Sequence, residues 1–297
     1  MRFEKWQALG NDYLILEREE LPFALTPARV RLLCAGHFGV HADGVLLLSP
    51  PADPAHVADL RIFNPDGSEA ELSGNGAREA ILYLRRRGWT DREQFVIDTA
   101  AGEIRPHITG PDTCTVEMGR ASLSSADFPA GPPDGRGAVQ AAGHTWAFRH
   151  VSIGNPQCAI RLDTLEQLEG LDLALAGPPI EADPRFPNRT NVSWYTELDA
   201  DGDLERIRAR IFERGVGETL SSGTGATGAA VAYALDEQAR PPAGSGFGQV
   251  RVTVVLDGGE LEVEVGPGLE INLTGWARPV FDGHLSDEFE KELHETE

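Results

Sequence analysis

The sequence predicts an α+β fold of two pseudo-symmetric halves, each a mostly antiparallel curved sheet around one central helix. An internal repeat carries this prediction: residues 61–77 read RIFNPDGSEAELSGNGA, and residues 210–226 read RIFERGVGETLSSGTGA. The two segments align without a gap at an offset of 149, about half of the 297-residue chain, and share eight of seventeen residues. Self-similarity at such a spacing is typical of a duplicated structural unit.

The same succession of elements is found in both halves. β-branched and aromatic residues at 61–63 and 207–212 predict strands. A glycine-rich turn follows, and apolar runs at 77–84 and 226–235 then predict buried helices. In the second half, alternating residues at 252–265 around a central Asp-Gly pair predict a β-hairpin. Strands joined by tight turns and packed on one helix favour the α+β class.

A segment rich in Ala, Gly, Ser and Pro at 119–143 is predicted to connect the halves. We therefore expect a first half at 1–118 and a second half at 119–266. The C-terminal segment 267–297 is expected to cross back to the first half. An active-site cleft is expected between the two halves.

The composition argues against several classes of function. A formal net charge of −21 does not fit a nucleic-acid partner, because phosphate-binding surfaces need clustered Lys and Arg. The start of the chain lacks a signal-peptide pattern, and no run approaches the ~18 apolar residues of a membrane span. Cys34, Cys114 and Cys158 predict no disulfide framework, and the histidines show no paired metal-ligand spacing, so we expect no metal. Together these observations predict a cytoplasmic protein.

The repeated turn precedes a predicted helix in each half, as Ser73-Gly-Asn-Gly76 and as Ser222-Gly-Thr-Gly225. The first N–H groups of a helix have no intrahelical acceptor, and the helix dipole adds partial positive charge there. Glycine allows a ligand to approach the backbone, so such a turn suits a carboxylate or a phosphate. A serine cap that only stabilises the helix is the alternative for a single turn. Two turns at equivalent points favour a ligand site.

Residues 223–228 also satisfy the G-x-G-x-x-G pattern of dinucleotide-binding folds. That site requires a parallel βαβ unit and an acidic residue about 20 positions later. The sequence near Gln249 offers no acid, and the first half breaks the pattern at Glu79. We expect no dinucleotide cofactor.

The pseudo-symmetry predicts that Ser73 and Ser222 approach one bound carboxylate from opposite walls. Inversion at the neighbouring carbon requires a base on one face and an acid on the other, which a duplicated fold supplies. The same offset of 149 pairs Asn64 with Glu213. Glu213 is therefore the best candidate for a general base, with an exposed surface glutamate as the alternative.

The chain resembles the diaminopimelate epimerase family along nearly its whole length. In the first half the matching motifs are Leu9-Gly-Asn-Asp-Tyr13, His37-Phe-Gly39, Ala42-Asp-Gly44, Asn64-Pro-Asp-Gly-Ser-Glu-Ala-Glu71 and Gly74-Asn-Gly76. In the second half they are Gly154-Asn-Pro156, Arg189-Thr-Asn-Val192, Glu213-Arg-Gly-Val-Gly-Glu-Thr219 and Gly223-Thr-Gly225.

The resemblance implies two similar halves that close over a small-molecule amino acid and interconvert LL- and meso-2,6-diaminopimelate without a cofactor, in lysine and peptidoglycan biosynthesis. The sequence is also compatible with a homodimer. The residues implied to hold the amino groups and the distal carboxylate are Asn11, Asn64, Asn155, Asn191, Glu213 and Arg214. Gly74 with Asn75 and Gly223 with Thr224 are implied to cradle the reacting carboxylate at the helix N-termini.

Four positions depart from the family pattern. The family carries cysteine at the positions of Ser73 and Ser222, as a thiol/thiolate pair of acid and base. A serine hydroxyl is a weaker acid and normally needs an adjacent base. Gln157 replaces a histidine, and Gly44 stands where some members have a polar binding residue. Cys158, which follows Gln157, is expected to pack as a small apolar residue.

Three hypotheses remain open at this point. The first is diaminopimelate epimerisation, with Ser73 and Ser222 relaying protons and Glu213 raising the basicity of one side. The second keeps the fold but changes the reaction to racemisation, isomerisation or dehydration of another amino or imino acid, as the lost thiols suggest. The third is an amino-acid-binding protein without catalysis.

Overall fold

In a computed structural model, which describes residues 1–201, 204–238 and 248–296, the chain forms two compact units. The first unit contains Met1–Val116 and Gly275–Glu297, and the second contains Glu117–Thr274. The chain therefore leaves the first unit once and returns to it near its C-terminus.

The first unit is built on one sheet whose strand order is β19-β1-β2-β3-β4-β6-β7, with β5 paired to β4. Most neighbouring strands are antiparallel, while β2–β3 and β4–β6 are parallel. The strands are β1 Arg2–Ala8, β2 Asn11–Glu17, β3 Val45–Ser49, β4 Ala58–Phe63, β5 Glu69–Ala70, β6 Ile97–Thr99, β7 Gly102–Ile104 and β19 Arg278–His284. A further pair, β8 Pro106–Ile108 and the first part of β9 Thr113–Arg120, is antiparallel.

The second unit has a sheet in the order β10-β11-β12-β13-β14-β16-β17-β18, with β15 paired to β14. Again most pairs are antiparallel, and β12–β13 and β14–β16 are parallel. The strands are β10 Arg136–Ala141, β11 His144–Ser152, β12 Pro156–Arg161, β13 Asn191–Asp201, β14 Leu204–Glu213, β15 Gly217–Thr219, β16 Val250–Leu256, β17 Gly259–Val265 and β18 Glu270–Trp276.

One long helix lies at the centre of each unit. α2 Gly74–Arg86 packs on β1, β2 and β3, and α5 Gly223–Gln238 packs on strands from β11 to β17. Ala226 and five of the six residues from 229 to 234 are alanine or valine and fully buried, so α5 can approach its sheet closely while keeping a strong helix propensity. The remaining α-helices of the described residues are α1 Pro27–Cys34, α3 Leu165–Glu169, α4 Leu173–Glu181 and α6 Asp287–Glu295.

The α+β class and the repeated strand-turn-helix succession are confirmed by these elements. The predicted strands fall within β4 and β14, the predicted helices within α2 and α5, and the predicted hairpin is β16–β17. The repeat also conserves an ion pair, because Arg61 binds Glu69 at 2.7 Å and Arg210 binds Glu218 at 2.6 Å. These recurring identities therefore reflect one local structure built twice.

The sequence predicted that the segment 119–143 is a connector, but part of it is a strand. Residues 136–141 form β10, which pairs with β11 at the edge of the second sheet. Within this strand Val139 is the large apolar side chain that is buried, and the other positions are small or polar. An edge strand with so little apolar alternation resembles a loop in sequence.

No helix in the described part of the chain is long and apolar enough to cross a membrane.

Candidate active site

Ser73 caps the N-terminus of α2 in the first unit. Its Oγ accepts the backbone N–H of Gly76 at 3.1 Å, which satisfies one of the free donors of the first helical turn. The Tyr13 hydroxyl from β2 also donates to Ser73 Oγ, at 3.2 Å. The serine hydroxyl is half-buried, and a phenol lies beside it.

A hydrogen-bond network fixes the turn that follows Ser73. Asn75 Nδ2 donates to Asn11 Oδ1 at 3.3 Å, and Asn11 Nδ2 donates to Asp43 Oδ2 at 2.8 Å. Arg78 is fully buried and donates to Asn75 Oδ1 at 2.5 Å and to Gly74 O at 3.0 Å. Because a buried charge must keep its partners, the turn is held in one geometry.

Ser222 has the same place at the start of α5 in the second unit. Its Oγ accepts the backbone N–H of Gly225 at 3.3 Å, as Ser73 does in the first turn. Unlike Ser73, it also has a carboxylate partner: Ser222 Oγ donates to Glu213 Oε2 at 3.0 Å. Thr219 Oγ1 donates to the other oxygen, Oε1, at 2.9 Å. Glu213 is therefore not an exposed surface glutamate but the partner of the predicted catalytic serine.

The electrostatics of Glu213 suit a general base. Burial raises its pKa, and the two hydroxyl donors, Thr219 and Ser222, partly oppose that rise by stabilising the charged form. A carboxylate with a raised pKa is a stronger base than a solvated one, and it can accept the Ser222 proton directly along the observed hydrogen bond.

A second contact is repeated between the halves. Asn155 Nδ2 donates to Thr224 Oγ1 at 3.2 Å, at the place where Asn11 meets Asn75 in the first unit. Gln157 donates in turn to Asn155 Oδ1 at 2.7 Å. Gln157 is fully buried, and its Oε1 has no hydrogen-bond partner among the described residues. The Gly-Asn turn thus supports the helix N-terminus in both halves.

The other predicted binding residues are held by neighbours within their own unit. Asn191 Oδ1 accepts the backbone N–H of Arg214 at 2.8 Å, so these two lie together beside Glu213. The Arg214 guanidinium donates to the backbone carbonyl of Asn188 at 2.7 Å. In the first unit, Asn64 Nδ2 donates to Ser68 Oγ at 3.0 Å. Asn64, although equivalent to Glu213 in the repeat, thus bonds within its own turn.

The last glycine of each turn serves packing. A Cβ on Gly76 would lie 3.0 Å from Leu46 Cδ2, and one on Gly225 would lie 2.8 Å from Ile211 Cδ1. Both glycines therefore let a central helix approach the strand behind it. From the sequence these glycines were expected to give a ligand access to the backbone, whereas their contacts are with the core.

The native cysteines stand apart from this chemistry. Cys158 is fully buried in the apolar core of the second unit, as expected, and burial raises its pKa. Burial likewise raises the pKa of Cys34 and of Cys114 to about 12. A thiol so hard to ionise is a poor nucleophile or base. Across residues 1–201, 204–238 and 248–296, no three His, Cys, Asp or Glu side chains form a group that could hold a metal ion.

Thr219→Val tests the environment of Glu213. Removing one hydroxyl donor should raise the Glu213 pKa further, because a hydrogen bond to the charged form is lost. The acid limb of the pH profile of kcat/KM should move upward by the same amount, and ¹³C NMR of labelled glutamate should report it directly. Thr227→Val is the control, because Thr227 donates to the Gly223 carbonyl instead. An unmoved limb in folded Thr219→Val would contradict this picture.

The residues missed by the sequence argument are Tyr13, Asp43, Arg78 and Thr219. Tyr13 and Asp43 lie inside the motifs Leu9-Gly-Asn-Asp-Tyr13 and Ala42-Asp-Gly44, but the sequence does not indicate which neighbours they contact. Thr219 is six residues from Glu213, across the β14–β15 pairing, so a hairpin prediction could have found it. Arg78 and its neighbour Glu79 interrupt the apolar run at 77–84, and charges inside such a run are a signal that can be seen in sequence.

Comparison with known proteins shows sequence similarity over both units. The model of the diaminopimelate epimerase family matches residues 3–124 and 149–275. A diaminopimelate epimerase from Synechococcus sp. (strain JA-3-3Ab) is 39% identical over 295 residues, covering 97% of this chain and 99% of the relative. One from Azoarcus sp. (strain BH72) is 38% identical over 288 residues, covering 96% and 98%.

Solved structures share the fold at much lower identity. A phenazine biosynthesis protein of the PhzF family from Bacillus anthracis superposes with a TM-score of 0.67 at 16% identity, covering 96% of this chain and 99% of that one. A hydroxyproline epimerase from Agrobacterium vitis gives a TM-score of 0.63 at 16% identity, covering 95% and 91%. At these identities the likeness concerns the fold alone.

Proposed function

The chain belongs to the diaminopimelate epimerase family, and we propose that it interconverts LL- and meso-2,6-diaminopimelate with serine hydroxyls in place of thiols. As a member of this family it is an isomerase that epimerises an amino acid. The activity belongs to lysine and peptidoglycan biosynthesis. Because a serine hydroxyl is a weak acid, other groups must help protons to leave and reach the α-carbon.

In this proposal the two helix N-termini bind the reacting carboxylate. Gly74 with Asn75 and Gly223 with Thr224 present first-turn N–H groups, and the helix dipoles favour a negative charge there. Asn11, Asn64, Asn155, Asn191 and Arg214 would hold the amino groups and the distal carboxylate. Binding of the carboxylate by N–H donors also stabilises the negative charge that develops when the α-proton leaves.

Ser222 and Glu213 act as the base. Ser222 Oγ takes the α-proton as the carbon–hydrogen bond breaks, and its own proton passes along the 3.0 Å hydrogen bond to Glu213 Oε2. The electron pair stays on the α-carbon, conjugated with the bound carboxylate. Activity should therefore rise with pH through the Glu213 pKa, because only the deprotonated carboxylate can accept that proton.

Ser73 returns a proton from the other face of the α-carbon. It delivers its hydroxyl proton to the carbanion, which inverts the centre. The two serines thus have different roles, and the difference follows from their neighbours rather than from their positions in the repeat.

A single observation carries the proposal, namely the hydrogen bond between Ser222 and the half-buried Glu213. A serine without a base could not replace a thiolate, since its hydroxyl is too weak an acid. In the second half Ser222 is hydrogen-bonded to Glu213, and this acid stands at the position that the amide Asn64 occupies in the first half.

Incubation with LL-diaminopimelate in deuterated water tests the function. We expect meso product with one deuterium at the inverted carbon, because the delivered proton comes from a solvent-exchanged group. The Ser73→Ala, Ser222→Ala double variant, purified in the same way, controls for an epimerase of the expression host. If neither meso product nor α-deuterium forms at high enzyme concentration, the proposal fails.

A second candidate is a one-base reaction, such as isomerisation of another amino or imino acid. The observation in its favour is the asymmetry itself, because one half offers Glu213 and the other offers Asn64. A panel of amino and imino acids in deuterated water would then show exchange with a compound other than diaminopimelate. Ligand-induced thermal stabilisation without any α-exchange would instead indicate a binding protein.

We also propose that the protein acts in the cytoplasm on its small-molecule substrate without a nucleic-acid or membrane partner. The three cysteines are free and buried, which fits a reducing compartment.

A further inference from the structure

Tyr13 and Gln157 occupy equivalent positions, each three residues after the glycine of a Gly-Asn turn. Their side chains differ in what they contact. Tyr13 Oη donates to Ser73 Oγ at 3.2 Å, whereas Gln157 donates to the asparagine of its own turn at 2.7 Å. The first-half serine therefore has a phenol as its titratable neighbour, and the second-half serine has the Glu213 carboxylate.

Gly44 provides the space that the Tyr13 ring occupies. A Cβ at position 44 would lie 2.6 Å from Tyr13 Cε1 and 2.3 Å from the Phe63 carbonyl oxygen, so any side chain there would displace the ring. Tyr13 is 5% exposed, and the packed core holds its ring against Ser73. The departure from the family at Gly44 and the phenol beside Ser73 are thus parts of one arrangement.

We propose that Tyr13 is the positioning residue for Ser73 and resupplies its proton, an inference that rests on the proposed function. As the new carbon–hydrogen bond forms, the Ser73 O–H bond breaks and Ser73 Oγ takes the Tyr13 proton. The electron pair remains on the phenolate oxygen, so no serine alkoxide accumulates. Water then returns a proton to Tyr13 and accepts the one held by Glu213, which restores the starting enzyme.

The chemistry of the phenol fits this role. A free phenol ionises at about 10 and is a stronger acid than an aliphatic alcohol. A carboxylate and a phenol differ in acidity, as the two members of an acid/base pair must. The two serines then serve as relays between these groups and the α-carbon.

Tyr13→Phe should lower kcat for diaminopimelate epimerisation by about 10²-fold, the scale of one general acid, with KM little changed. The alkaline limb of the kcat/KM profile should disappear or move, while the acid limb that belongs to Glu213 stays. A merely structural effect would lower the whole profile without changing its shape. Tyr83→Phe is the matched control, because Tyr83 is also buried in this unit but donates to Glu17 at 2.6 Å.

An unchanged alkaline limb in an active Tyr13→Phe enzyme would overturn the inference and leave the proposed function intact. An inactive wild-type enzyme would instead contradict the proposed function. The role of Tyr13 beside position 73 can then be decided without turnover.

A measurement that needs no turnover compares Ser73→Cys alone with Ser73→Cys combined with Tyr13→Phe. The pH dependence of iodoacetamide alkylation gives the pKa of the introduced thiol, against a low background because the native cysteines are buried. A phenol that donates to the thiolate stabilises it, so Tyr13→Phe should raise that pKa by about one unit. Equal pKa values in the two variants would refute the contact.

Discussion

Glu213→Gln should lower the rate of α-proton exchange and of epimerisation by about 10²–10⁴-fold, the range for loss of a general base. The amide keeps the size of the side chain, and its one carbonyl oxygen can still accept from one of the two hydroxyls, but it cannot take up the Ser222 proton. Steady-state kinetics with LL-diaminopimelate and ¹H NMR of exchange in deuterated water would both measure the loss. We expect the fall mainly in kcat, because the substituted atom acts in the proton-transfer step.

Glu218→Gln provides the control for this variant. Glu218 lies in the same hairpin, but it pairs with Arg210 at 2.6 Å and is 37% exposed, so its ion pair contributes about 0–1 kcal/mol to stability. Its activity should stay near that of the wild type. Equal rates for Glu213→Gln and wild type would show that the carboxylate takes no part in the reaction.

Much of the architecture could be predicted because the sequence contains an internal repeat. A gapless offset of 149 aligns two strands, two turns and two helices, and one such alignment defines the equivalent positions in both halves. The cap contacts of Ser73 and Ser222 follow from local chemistry, since a serine before a glycine-rich helix start satisfies a free N–H. Local rules were therefore sufficient for the elements and for the two serines.

The differences between the halves could be predicted only in part: the same offset pairs Asn64 with Glu213 and so predicts a base on one side, but it does not predict the phenol beside Ser73. Symmetry assigns Ser73 and Ser222 the same role, yet one meets Tyr13 and the other meets Glu213. Tyr13 comes from β2 and is 60 residues from Ser73, so that contact depends on tertiary packing rather than on sequence spacing. The edge strand β10 was missed for a related reason, because its pairing with β11 is not encoded by its own apolar pattern.

Ser73→Cys combined with Ser222→Cys should raise epimerisation of diaminopimelate by orders of magnitude, about 10²-fold or more. A free thiol ionises at about 8.5, and a helix N-terminus lowers that value, so thiolate is available near neutral pH, whereas a serine alkoxide is not. Both side chains cap a helix, and the change adds little volume, so the fold should be retained. Steady-state kinetics would measure the gain in rate, and thermal unfolding would check that stability is unchanged.

The single variants and the Ser73→Ala, Ser222→Ala enzyme complete the comparison. Each single cysteine should gain less than the pair, because inversion needs a competent group on both faces. An unchanged rate in a folded double-cysteine enzyme would mean that the binding residues no longer fit diaminopimelate, and the second candidate function would then be favoured.

Introducing Glu213→Gln into the Ser73→Cys, Ser222→Cys enzyme tests whether Glu213 acts through Ser222. If the carboxylate serves only to take the serine proton, Glu213→Gln should cost much less in the double-cysteine background, where a thiolate is itself the base. The coupling energy is RT times the natural logarithm of the ratio of the two losses, so a tenfold difference corresponds to about 1.4 kcal/mol. Equal losses in both backgrounds would show that Glu213 binds substrate or abstracts the α-proton directly, without using the hydroxyl to which it is hydrogen-bonded.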